Sequence, residues 1–167
     1  EGVSVVRRGG ETRADTVVNG LETLSGGAVF PASGSDWVMV HDAARPFVDP
    51  ADIRKLRDEV LSAGHGAILA MPMADTVKEA SPDRRILATR DRKSLWRAAT
   101  PQAFRLSELL SALRRGTEGV TDESSAMERT GHPVSVVPGS TLNFKITTPD
   151  DALIAEAIAE SRLRKHP

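Results

Sequence analysis

The sequence predicts an α/β fold, a mostly parallel sheet flanked by helices, and three observations predict it. Short apolar runs alternate with amphipathic stretches of helical period. The helical stretches open on capping residues and close on glycines. One run, Ala67 to Met71, is apolar without a break, as strands inside parallel sheets are. At 167 residues the chain is predicted to form one domain. A domain of that size buries roughly 70% of its unfolded surface and needs no covalent staple.

Composition narrows the function classes. There is no cysteine, hence no disulfide framework and no thiolate metal site, which fits a reducing cytoplasm. Net charge is −1, from 22 basic and 23 acidic residues, so nothing favours nucleic acid as a partner. No apolar run approaches the roughly 20 residues of a membrane span. No signal-peptide pattern is visible.

The elements follow in order. Val3 to Val6 reads as a strand. Residues 13–24 read as a helix capped by Thr12, with Val17, Leu21 and Leu24 on one face. Residues 25–36, rich in glycine and proline, read as a loop. Trp37 to Val40 is the next strand. Asp49-Pro50-Ala51-Asp52 is a helix start, with Pro at the first helical position and an acid at the third. Ile53, Leu56 and Val60 mark its buried stripe, and Gly64 ends it. After the strand at Ala67, two half-polar strands surround the turn Ser81-Pro82-Asp83 and predict a hairpin. It carries Lys78, Arg84, Arg85, Arg90, Arg92 and Lys93 and few apolar groups. An isolated hairpin of this kind is marginal, so it is expected to lean on another chain. Leu106, Leu109, Leu110 and Leu113 mark a helix. Thr121 is expected to cap the next one, which Gly131 closes. Val134 to Val137 and Asn143 to Ile146 read as strands. Thr148-Pro149-Asp150-Asp151 opens the last helix, with Leu153, Ile154, Ala157 and Ile158 expected to face the core.

The chemistry concentrates in Val40-His41-Asp42-Ala43-Ala44-Arg45-Pro46. Ligands of open α/β sheets bind outside the carboxyl ends of the strands. An aspartate there can hold Mg²⁺, and an arginine beside it can take a phosphate oxygen. A capped strand end with a surface ion pair explains the same residues equally well on chemistry alone. His41 is expected to be a hydrogen-bonding residue. His65, His132 and His166 have no ligand spacing. Trp37 and Trp96 are expected to be core or interface anchors, and Met71 and Met73 to be packing.

Seven segments carry a resemblance. They are residues 9–17 (GGETRADTV), 41–46 (HDAARP), 75–78 (DTVK), 91–96 (DRKSLW), 100–104 (TPQAF), 121–126 (TDESSA) and 143–147 (NFKIT). Each is weak alone. In this order they closely resemble the 2-C-methyl-D-erythritol 4-phosphate cytidylyltransferase family over residues 3–160. The resemblance implies a Rossmann-like nucleotide-binding sheet and transfer of a cytidylyl group from CTP to methylerythritol phosphate. The products would be 4-diphosphocytidyl-2-C-methyl-D-erythritol and pyrophosphate, in non-mevalonate isoprenoid biosynthesis. It implies Mg²⁺ as cofactor and a homodimer in which residues 72–94 form a protruding β-arm that embraces the partner. It further implies a cytoplasmic bacterial enzyme, with a plastid form left open.

The implied roles are residue-specific. Gly10, Glu11, Arg13 and Thr16 would bind the nucleotide, Gly10 by letting the backbone approach the cytosine. Asp42 would hold the metal. Arg45, Thr76, Arg92, Thr100 and Thr121 would surround the methylerythritol phosphate, with Thr76 and Arg92 coming from the partner's arm. Lys145 would meet the phosphates in the transition state. The nucleophile is already anionic, so catalysis is positioning and charge neutralisation, with no acid–base triad. Ribitol-5-phosphate cytidylyltransferases share the scaffold and are the rival enzyme reading. Two departures stand out. A Gly commonly precedes Leu-Trp in the family, where this chain has Lys93-Ser94. The family's opening strand and glycine-rich, cationic loop have no counterpart here, so an N-terminal βαβα part is expected to be missing. The rival class of reading is therefore an inactive, dimerising fragment.

Overall fold

The computed structural model describes residues 2–27, 30–116 and 119–165. The order of elements is α1 (Arg13–Ser25), β1 (Trp37–Val40), α2 (Pro50–Ala63), β2 (Gly66–Pro72), β3 (Val77–Ala80) and β4 (Ile86–Arg90). A single 3-10 turn (Arg92–Ser94) follows. Then come β5 (Trp96–Arg105), α3 (Leu106–Arg114), α4 (Glu123–Arg129), β6 (Val134–Pro138) and α5 (Pro149–Lys165).

The main sheet has the order β1-β5-β2-β6, and it is mixed rather than fully parallel. β2 and β6 are parallel, while β5 runs antiparallel to both β1 and β2. β1, β2 and β6 therefore point the same way, and β5 alone is reversed. The sequence hides β5 because Pro101 sits in its middle. Proline has no N–H for the ladder and is uncommon in central strands. The pairing with β2 accommodates it through a register shift between Ile68 and Ala70.

Alternation along β2 sorts the core into two layers. Ile68 joins Phe104, Leu106, Leu109, Leu113 and Met127 under α1, α3 and α4. Ala67, Leu69 and Met71 join Leu56, Val60 and Val137 under α2. Gly66 is required where β2 crosses Phe104, because a Cβ there would penetrate the ring. Gly64 ends α2 with φ of 74°, in the left-handed region where a side chain is strained.

Several expectations need correction. Residues 3–6 form no strand; they pair with no described strand, and Val3 and Val5 are exposed. Asn143–Ile146 is irregular chain, with Ile146 N–H bonded singly to the Ala44 carbonyl at 2.9 Å. Asp122, not Thr121, caps α4: its carboxylate accepts from Ser125 N–H at 3.0 Å. The stripe on α5 does not face the core. Leu153 is 66% and Ile154 53% exposed, Ala157 is exposed, and Ala155 is the buried residue. Of the two roles expected for Trp96, the core is excluded, since it is 41% exposed at the base of the hairpin. Trp37 is half-buried beneath the Arg105 guanidinium, 4.0 Å from its ring centre. Met71 is buried and Met73 half-buried. His166 lies outside the described residues.

The hairpin is present. β3 and β4 form their own two-stranded sheet, with Val77 opposite Arg90 and with Ile86 and Leu87 exposed. At its base Met73 N–H bonds the Leu95 carbonyl at 3.0 Å, and the Arg92 guanidinium donates to the Ala74 carbonyl.

Candidate active site

The three parallel strands place their carboxyl ends on one edge, and most of the candidate side chains gather there. β1 ends at Val40 and delivers His41 and Asp42. β6 ends at Pro138 and is followed by the irregular segment that brings Asn143 and Lys145. The reversed strand β5 passes beneath them with Thr100 and Gln102.

Thr100 organises the strand ends. Its hydroxyl accepts from Asp42 N–H at 2.9 Å and lies 3.0 Å from His41 Nδ1. His41 Nε2 lies 3.0 Å from the Arg45 carbonyl, which only accepts. Nε2 therefore carries a proton, Nδ1 is held by the Thr100 hydroxyl, and both ring nitrogens are committed. This is the hydrogen-bonding role expected of His41. The side chain of buried Asn143 donates to the Thr100 carbonyl at 2.8 Å, and its backbone carbonyl accepts from Arg45 Nη1 at 2.8 Å. The irregular segment is thus tied to β5 and to the Arg45 turn without a strand.

Asp42 is met by three cations. Its Oδ1 accepts from Arg13 Nε at 3.0 Å, and its Oδ2 lies 3.2 Å from Lys145 Nζ and 3.5 Å from Arg45 Nε. Burial alone would raise the Asp42 carboxyl. The hydrogen bonds and charges of Arg13, then of Lys145, outweigh that and hold it below its ordinary value. Arg13 is itself clamped: Nη1 and Nη2 bond the two oxygens of Glu123 at 2.7 and 2.9 Å. That pairing, chiefly, pushes the guanidinium above its already high ordinary value. Below the cluster, Gln102 donates to Asp122 at 2.8 Å and accepts from Ser124 N–H at 2.9 Å.

Two clefts meet at this cluster, and Arg13, Asp42 and Lys145 line both. One, of about 260 Å³, is polar and adds Arg45, Thr100, Gln102, Thr121 and Asp122. The other, of about 350 Å³, adds Thr16, Val17, His41, Ala43 and Ala44. The structure thus brings together Arg13, Thr16, Asp42, Arg45, Thr100, Thr121 and Lys145. It does not bring in Thr76 or Arg92, which stay on the hairpin and line neither cleft. Glu11 is exposed and also lines neither. Gly10 has a reason of its own to be glycine, since a Cβ would collide with Asp15 in the first turn of α1. Its N–H bonds the Thr16 hydroxyl at 3.0 Å.

Sequence reasoning missed Glu123 and Gln102. Glu123 reads locally as a first-turn acid, and its partner Arg13 is 110 residues away. Gln102 lies on the strand that the sequence concealed.

Among the described residues no group of three or more His, Cys, Asp or Glu side chains gathers as a metal cage. Mg²⁺ does not need one, because it is commonly bound by one or two carboxylates plus substrate phosphates. Asp42, a carboxylate at the junction of two clefts whose oxygens are here shared by Arg13, Lys145 and Arg45, is the residue that would serve such an arrangement as a single protein ligand.

Comparison with known proteins agrees with this architecture. The family model for 2-C-methyl-D-erythritol 4-phosphate cytidylyltransferase matches residues 1–161. The relative so named from Nitrosomonas eutropha is 41% identical over 160 residues, covering 96% of this chain and 68% of its own length. That from Paraburkholderia phymatum is 48% identical, covering 93% and 66%. The bifunctional enzyme IspD/IspF of Albidiferax ferrireducens is 47% identical, with 92% of this chain matching 36% of it. This chain therefore spans about two thirds of the length of the first two relatives. A solved 4-diphosphocytidyl-2C-methyl-D-erythritol synthase superposes with a TM-score of 0.81 at 40% identity, over 90% of this chain and 68% of that one. The cytidylyltransferase of Thermus thermophilus superposes at 0.77 and 27% identity, over 95% and 78%. The chain belongs to the 2-C-methyl-D-erythritol 4-phosphate cytidylyltransferase family, whose members are nucleotidyltransferases.

Proposed function

We propose that this chain carries the acceptor and transfer side of a cytidylyltransferase that joins CTP to 2-C-methyl-D-erythritol 4-phosphate and releases pyrophosphate. The observation that carries the reading is the junction of two clefts at Asp42, Arg13 and Lys145. One cleft would take the sugar phosphate against Arg45, Thr100 and Thr121, and the other the nucleotide beside Arg13 and Thr16. Gly10 and Glu11, just before α1, would lie on the nucleotide side.

The acceptor's phosphate oxygen is anionic near neutral pH and attacks the α-phosphorus of CTP in line. The new P–O bond forms as the bond to pyrophosphate breaks, and no proton need move. Arg45, held by the Asn143 carbonyl, orients the attacking phosphate. Lys145 is 42% exposed and stands at the shared wall, where it can leave Asp42 for a phosphate oxygen as charge builds on it. Asp42 would hold Mg²⁺, which when bound supplies charge neutralisation between the phosphates. The committed ring of His41 leaves it no role as a base.

Residues 72–94 would dock on a second copy, bringing Thr76 and Arg92 to the partner's acceptor phosphate. The exposed Ile86 and Leu87 and the cationic edge of the hairpin support that reading. Bacterial relatives support a cytoplasmic setting, and among the described residues no helix is long and apolar enough to cross a membrane. The test is pyrophosphate release from CTP and Mg²⁺ with methylerythritol phosphate or ribitol 5-phosphate as acceptor. Turnover of the first well above the second is expected. Preference for ribitol 5-phosphate, or release with neither, would overturn the assignment.

A further inference from the structure

Glu123 is 1% exposed, and acids are almost never buried so deeply without a partner. Its partner is a fork-to-fork pair with Arg13, the geometry that fixes a guanidinium plane as well as neutralising it. Arg13 is the first residue of α1, the end of a helix where a cation is disfavoured. A residue placed against that rule, and then clamped by a buried acid, is held for its geometry. The third nitrogen of the same guanidinium, Nε, bonds Asp42. Glu123 opens α4, next to Thr121 and Asp122 of the acceptor cleft, and Arg13 lines both clefts. Around the junction Arg13, Arg45 and Lys145 balance Asp42, Asp122 and Glu123.

We propose that Glu123 is a positioning residue: through Arg13 it fixes the orientation of the Asp42 carboxylate and sets the charge that a divalent cation meets there. The proposal rests on the reading of the site given above. Glu123→Gln keeps the shape but turns one of the two acceptors into a donor facing Arg13, and leaves the cluster one unit more positive. A unit charge roughly 8 Å from a divalent ion in a water-like medium changes its affinity about fivefold. Glu123→Asp keeps the charge but is one methylene too short to close the fork.

Two readouts test this once melting curves have shown the variants folded. The first is hydrogen exchange at the Arg13 Nε–H by NMR, which involves no turnover. Fast exchange in both variants and slow exchange in the unsubstituted protein is expected. The second is the Mg²⁺ concentration for half-maximal transfer, expected to rise about fivefold in Glu123→Gln and to stay near normal in Glu123→Asp. A folded Glu123→Gln protein in which either readout is unchanged overturns the proposal, and a lower melting temperature alone does not rescue it. Absence of transfer by the unsubstituted protein would instead overturn the cytidylyltransferase reading. The arginine exchange would then decide by itself whether Glu123 holds Arg13.

Discussion

Replacing Asp42 by Asn separates the chemistry of the junction from its stability. The substitution keeps the side-chain shape and the backbone bond to Thr100, and removes the charge that Arg13, Lys145 and Arg45 share. Breaking a fully buried ion pair by removing one partner costs about 3–5 kcal/mol. Here Arg13 is 37% and Lys145 42% exposed, so solvent takes up much of the stranded charge. The cost then falls to about 1–2 kcal/mol. For a chain of this size that is a drop in melting temperature of about 2–8 °C. The loss in transfer should be larger. Removing one group aimed at developing charge costs roughly 10²–10³ in rate. Thermal melts beside pyrophosphate release at saturating CTP and Mg²⁺ measure both effects. A folded Asp42→Asn protein with near-normal turnover would refute the metal assignment. A loss of rate matched by an equal loss of folded protein would show that Asp42 serves stability alone.

Asp52 is buried beneath the segment that bears Lys145, with Ser140 N–H at 2.7 Å and Lys55 Nζ at 2.8 Å on its two oxygens. Burial raises its carboxyl, but the Lys55 and Ser140 bonds outweigh that and leave it below the ordinary 3.8. A carboxyl lowered by folding stabilises above its unfolded value and loses that contribution as pH falls through the folded one. Asp52→Asn should therefore flatten the fall of stability below about pH 4, measured by urea melts at several pH values; an unchanged acid profile would count against it. Gly66→Ala forces a methyl into the Phe104 ring and should cost about 1–3 kcal/mol by denaturant midpoint, and a neutral result would mean that Phe104 moves freely. Mixing Arg92→Ala with Lys145→Ala subunits should restore one working site per mixed dimer, and no recovery of activity would show that the arm does not serve its neighbour.

How much was legible in the sequence depends on the range of the interactions. α2 was legible to the residue, because Asp49, Pro50 and Gly64 carry local backbone meaning at its ends. β5 was not, since Pro101 masks a strand whose two neighbours lie far away in sequence. The α5 stripe was visible as a pattern, but a pattern cannot say whether the surface that should cover it is there. In the site, Asp42, Arg45 and Lys145 were legible because strand ends and motif order pointed to them. Glu123 was illegible because an acid after a cap already has a local explanation.

The lone reversed strand also governs when the sheet can form. β1 and β2 follow each other in the chain, yet neither pairs with the other; both pair with β5, Trp37 with Arg105 and Ile68 with Gln102. As the chain leaves a ribosome, the all-apolar β2 emerges before the strand that will join it to β1, and before its parallel neighbour β6. Closing such distant pairings costs loop entropy before any burial repays it, which makes folding slow and leaves β2 exposed meanwhile. A nascent or truncated chain that stops within the hairpin would present that strand with both edges open, a ready template for aggregation.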